Sequence, residues 1–198
     1  MISPAENPLM ARSGLPEFEK IRPEHVIPAM DATLAEIESR LKEIEASVIP
    51  TWDGLCKPLE ELDTPFEYTW GVVNHLISVK NSDELRKAHQ EILPKVINFS
   101  LRMSQSKPIY HGLKKLRDSE EYKSLNDARK RIIDKKIKAA EHAGVGLEGA
   151  AKERFNEIAN RISKISTDFS NNVLDATKAY ELIVTDKADV EGWPLNLK

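Results

Sequence analysis

Residues 151–177 read AKERFNEIANRISKISTDFSNNVLDAT, and this stretch decides the fold. Apolar side chains fall at Ala151, Phe155, Ile158, Ile162, Ile165, Phe169, Val173 and Ala176. Each step is three or four residues, the repeat of a long amphipathic helix. At a rise of about 1.5 Å per residue the helix spans roughly 40 Å. Its last turns carry the polar run Ser170-Asn171-Asn172. Extending the stripe from Ile165 and Phe169 puts the next position at Asn172 or Val173, so Asn172 lies on or beside an expected buried seam. A polar residue there can set helix register at some cost in stability, or it can face a channel. Asn171, Asn172 and Asp175 are therefore candidates for a register or channel-facing role. Ile162→Ala or Phe169→Ala is expected to cost roughly 2–5 kcal/mol, as truncating a buried side chain does.

The same spacing recurs upstream. Pro23-Glu24-His25 opens a helix carrying Ile27, Met30, Leu34, Ile37, Leu41, Ile44 and Val48, with proline tolerated in the first turn and Pro50 as a stop. Thr51 caps a second helix from Trp52 through Leu76, and Pro65 inside it is expected to kink or split it. Asn81 with Glu84 resembles a capping box for a third helix through Met103, with Pro94 as a second kink. Ser106 and Pro108 start a short helix. Ser124 and Asp127 start another, with Ala128, Ile132, Ile137 and Ala140 inward and Gly144 as its cap. At Tyr180–Thr185 the period changes to a short β-branched apolar run, which reads as a strand. A lone strand cannot satisfy its own backbone groups. The expected fold is all-α: an elongated bundle of long antiparallel helices, at least three of them longer than 18 residues, with one short strand near the C-terminus. Residues 1–22 read as an extended arm, 23–179 as the helical domain, and 180–198 as a strand and tail.

Composition agrees. The 198 residues are 40% hydrophobic and 31% charged, with eight glycines, too few for a turn-rich β fold. Such a chain is long enough to bury roughly 70% of its unfolded surface. The net charge of −3 argues against a nucleic-acid partner. The basic run Arg129, Lys130, Arg131, Lys135, Lys136, Lys138 spreads around a helix without interleaved aromatics and reads as a solvated face. No apolar run is long enough to span a membrane, and the first residues lack a secretory h-region. The single cysteine, Cys56, cannot form an internal disulfide and reads as a small buried hydrophobe, which suits a cytoplasmic setting.

Two patterns in the sequence bear on chemistry. A helical zinc site needs two histidines four apart with a glutamate after the first. His25, His75, His89, His111 and His142 are scattered, and none precedes Glu. Gly144-Val145-Gly146-Leu147-Glu148-Gly149 fits the dinucleotide fingerprint letter for letter, but a helix precedes it where the mechanism needs a strand. It reads as a helix-to-helix connection. No catalytic, metal-binding or cofactor-binding residue is assigned.

Several segments together resemble one family. These are Leu15-Pro16-Glu17-Phe18, Ile21-Arg22-Pro23-Glu24-His25-Val26-Ile27-Pro28-Ala29, Trp52-Asp53-Gly54-Leu55-Cys56-Lys57-Pro58-Leu59, His75-Leu76-Ile77-Ser78-Val79-Lys80-Asn81-Ser82 and the long helix itself. In order and spacing they resemble the N-terminal region of the zinc oligopeptidases, the thimet oligopeptidase and oligopeptidase A family, over residues 7–194. That resemblance implies a cytosolic metallopeptidase of short peptides. Its zinc and His-Glu-x-x-His helix lie beyond the matched region, and its N-terminal helices wall a substrate channel. It implies that this chain alone is inactive, and that its partners are a catalytic domain and, through it, short peptides. The alternative is a free-standing helical scaffold or binding protein derived from such an enzyme. Exposed apolar area and the Tyr180–Thr185 edge further lead us to expect a two-fold homodimer.

Overall fold

The computed structural model describes residues 6–194, apart from the side chain of Lys187. The chain forms two compact units, Met1–Asn160 and Arg161–Lys198. Helices dominate both, and no strand occurs among the described residues. They are α1 (Val26–Ala46), α2 (Lys57–Phe66), α3 (Val72–Val79), α4 (Asp83–Ser104), α5 (Lys107–Arg117), α6 (Glu120–Ser124), α7 (Asp127–His142) and α8 (Gly149–Ala179). Three exceed 18 residues, at 21, 22 and 31.

In the first unit α1 is the central element, packed against α2 and α4, while α5 packs against α7. Its inward side chains serve two apolar clusters. Val26, Ala29 and Met30 join Trp70, Val73, Leu76 and Ile92 at one end. Ile37 and Leu41 join Leu55, Leu59, Leu113, Leu116 and Ile133 at the other. Between them lies a buried polar seam. Thr69 Oγ1 sits 3.0 Å from the Pro65 carbonyl and 3.1 Å from that of Leu9, with Thr33 Oγ1 at 3.3 Å. Arg12 donates to Thr33 and pairs with Glu36, so the chain Arg12–Thr33–Thr69–carbonyl gives both threonine hydroxyls a partner.

Within the expected arm, residues 6–22 pack onto the first unit. A 3₁₀ turn at Pro8–Met10 is capped by Asn7, whose side chain accepts from the Leu9 N–H and donates to the His25 carbonyl. Leu9 and Ile21 are buried in the first cluster. Low periodicity concealed this, because an irregular segment buries isolated side chains rather than a stripe.

The expected split at Pro65 takes the form of a π-helical turn, Glu67–Gly71, between α2 and α3. Proline removes an N–H from the ladder, and the wider turn re-registers it. Pro94 does not break α4. It is exposed, where the carbonyl it leaves unpaired can meet water. Thr51 caps the preceding turn as expected, accepting from the Gly54 N–H at 2.9 Å.

Two caps shift by one or two residues. Ser82, not Asn81, caps α4, because its hydroxyl accepts from the Leu85 N–H. Asn81 instead donates to the Ile77 carbonyl, closing the end of α3. Asn126, not Ser124, caps α7, because Ser124 is spent on the Glu121 carbonyl at the end of α6. With that start, α7 buries Ile133, Ile137 and Ala140, and Ala128 is exposed.

The second unit begins within α8, which runs on to Ala179. The strand expected at Tyr180–Thr185 does not form. That segment has neither helix nor ladder, and a 3₁₀ turn follows at Lys187–Val190. β-branched composition alone cannot make a strand when no second strand lies beside it to take its backbone groups.

Candidate functional site

The start of α8 is set by the first unit. Gly144 takes φ +78°, a left-handed conformation that turns the chain out of α7. The glycine motif is thus a helix-to-helix connection, with α7 before it and α8 after it. Gln105, buried at the end of α4, donates to the Ala143 carbonyl at 2.9 Å and to Asn156 Oδ1 at 2.8 Å. Asn160 donates to Asn98 Oδ1 at 3.1 Å. Nearby, Arg102 grips Glu45 with both terminal nitrogens, and Ser106 donates to the same carboxylate. These bonds, Arg102 foremost, hold the Glu45 carboxyl below its ordinary range.

Past Asn160 the helix does not bury its stripe. Ile162, Ile165, Phe169 and Val173 are 59, 55, 67 and 49% exposed. The partly covered positions are Ser163, Thr167, Asp168, Asn171 and Leu174, on another side of the helix. Of the three candidate polar residues, Asn171 is half-buried, while Asn172 and Asp175 are exposed. The expected buried seam is therefore absent from this chain, and with it the expected penalty for truncating Ile162 or Phe169. The feature that α8 presents is an apolar stripe in water, flanked by charge.

No group of three or more His, Cys, Asp or Glu among the described residues could hold a metal ion. The histidines are engaged separately. His25 Nδ1 accepts from the Arg22 N–H at 3.0 Å, His75 lies against Phe18, and His89 stacks on Trp70 with ring centroids 4.7 Å apart. The described residues do not fit a zinc ion. Cys56 is buried, and desolvation pushes its thiol up to about 11, the wrong direction for a nucleophile or metal ligand. In the basic run, Arg129 lies over the Trp52 ring at 4.8 Å and Lys130 over Tyr122 at 5.9 Å.

One cleft of about 200 Å³ opens among α2, α4, α5 and α7, lined by Leu59, Asp63, Met103, Tyr110, Lys136 and Ala140. Desolvation raises the Asp63 carboxyl, opposed by the nearby Lys136 ammonium. The cleft holds one acid and one cation but no activated nucleophile. No helix of the described residues is long and apolar enough to cross a membrane.

Long helices without a strand among the described residues define an all-α fold. Comparison with known proteins gives its class. A family model for the neurolysin/thimet oligopeptidase N-terminal domain matches residues 30–152, more than half of the chain. The chain belongs to that family. It is 41% identical over 190 residues to the probable cytosolic oligopeptidase A of Arabidopsis thaliana, and 42% identical over 190 residues to the organellar oligopeptidase A, chloroplastic/mitochondrial, of the same plant. It is 40% identical over 189 residues to oligopeptidase A of Escherichia coli (strain K12). These matches cover 96, 96 and 95% of this chain and 27, 24 and 28% of the relatives, so the chain spans about a quarter of their length.

Proposed function

We propose that this chain serves as the N-terminal helical domain of a cytoplasmic metallo-oligopeptidase acting on short peptides, with α8 in the wall of the substrate channel. The observation that carries this reading is the family match over residues 30–152, together with a helix that continues beyond it carrying an exposed apolar stripe and polar Asn171, Asn172 and Asp175. In this reading the chain supplies shape and surface, and the zinc chemistry belongs to the remainder of a full-length relative. The chain alone neither hydrolyses peptides nor holds zinc tightly.

Two measurements test this. Purified chain is incubated with a quenched short peptide and equimolar zinc, with no turnover expected. Turnover that survives repurification and disappears with a chelator overturns the inactive reading. The chain is then exchanged for the matching region of E. coli oligopeptidase A. A channel-wall role predicts that the chimera cleaves short peptides and that Asn172→Ala alters KM for longer ones more than kcat. A folded but inactive chimera would favour the second reading, a free-standing scaffold. The length of the gene discriminates between these two independently.

A further inference from the structure

We infer that Gln105 is a positioning residue for peptide binding: its side-chain amide seats the root of α8, residues 149–160, against α4 and the end of α7, and so sets the first part of the wall that a bound peptide meets. This rests on the channel-wall reading of α8 and names the side chain through which the rest of the first unit acts on that wall. Gln105, Ala143 and Asn156 all lie within the first unit.

Gln105 closes α4 and is only 6% exposed. Buried there, its amide must find partners or leave polar atoms unpaired at a cost. Ala143 fixes which way the amide points. It is the C-cap of α7, and a carbonyl at a helix end has no helical N–H to take. A carbonyl can only accept, so the Gln105 nitrogen faces it, at 2.9 Å. The amide nitrogen carries a second hydrogen, and Asn156 Oδ1 accepts it at 2.8 Å. One side chain thus joins three helices: α4 that carries it, α7 at its last carbonyls, and α8 at its second turn.

Little else locates that root. α8 has no buried residue, and Phe155 and Ala159 are only half-buried. A surface with so little apolar cover is not held by shape, so directional bonds must place it. The bond from Asn160 to Asn98 is exposed, where water competes for both amides. The bond from Gln105 to Asn156 is partly buried and is anchored at its other end by the Ala143 carbonyl. Isosteric changes separate this role from packing. Gln105→Glu keeps the shape but offers no hydrogen to either acceptor, and sets a carboxylate against a carbonyl. Asn156→Asp keeps the accepting oxygen and with it the bond, whereas Asn156→Ala removes it.

The chimera with E. coli oligopeptidase A tests this, with kcat and KM measured for a short and a longer quenched peptide and circular dichroism checking that each variant is folded. Gln105→Glu and Asn156→Ala should each raise KM for the longer peptide about threefold or more while kcat stays within about twofold. Asn156→Asp should match the parent chimera. Should Gln105→Glu fail to fold, the half-buried Asn156 still carries the comparison of Ala with Asp. An active parent whose KM is unmoved by Asn156→Ala overturns the inference and leaves the channel-wall reading standing. So does a fall in kcat that matches the rise in KM, or an Asn156→Asp chimera as impaired as Asn156→Ala. A folded parent chimera without activity overturns the channel-wall reading, and the inference with it.

Discussion

At the scale of single residues, His89 and Glu45 make stability depend on pH in separate windows. His89 is buried, stacks on Trp70 and shares a 3.0 Å hydrogen bond with Asn74 Oδ1. Desolvation holds it below its ordinary value of 6.5. On acidification below 6.5 the unfolded chain takes up a proton that the folded chain refuses, so the contribution is intact above that pH and lost below it. Unfolding free energy should fall as pH drops below 6.5, and His89→Gln should flatten that segment. Glu45 is lowered from 4.5 by Arg102, so its contribution is present above 4.5 and lost as pH falls below it. Glu45→Gln should flatten only this lower limb. Urea titrations at stepped pH separate the two. Cys56 gives a third residue-scale expectation. With its thiol raised to about 11 and buried, alkylation at pH 8 should be at least about tenfold slower in the native chain than in denaturant. Equal rates would mean that the π-helical turn Trp52–Cys56, which ends at this cysteine, opens readily.

At the scale of elements, two helix features separate in energy. Gly144 closes α7 at φ +78°, and a Cβ there would approach Leu147 Cδ1 to 2.7 Å. Gly144→Ala should cost about 1–2 kcal/mol by denaturation, the penalty of a left-handed residue with a side chain. The core face of α1 contrasts with the exposed face of α8. Ile37→Ala, fully buried, should cost about 2–5 kcal/mol. Phe169→Ala at dilute, monomeric concentration should cost under about 1 kcal/mol. Equal losses would mean that the α8 stripe is covered in solution. The positions of the helices were legible because a 3.6-residue repeat is written within each segment. Their caps were less so, since Asn81 and Ser82, or Ser124 and Asn126, compete for the same start and only the hydrogen bonds formed decide the winner.

At the scale of the whole molecule, both apolar clusters draw on residues before 146, and α8 has no fully buried residue. A chain ending at Asn160 should therefore keep its melting temperature within about 5 °C, checked by calorimetry. A collapse of the transition would show that the second unit supports the first. What the sequence alone determined is local and periodic: helical class, the three long helices, the helix-to-helix character of the glycine motif and the kinship carried by ordered segments. None of these requires knowing what lies next to what. The tertiary structure decided which stripes are covered. Residues 9 and 21, without periodicity, are in the core, whereas the most regular stripe, on α8, faces water. It also decided that Tyr180–Thr185 is no strand. Periodicity records a helix's capacity to bury one face. Burial itself requires a second surface, and its identity is not encoded within the segment that presents the first.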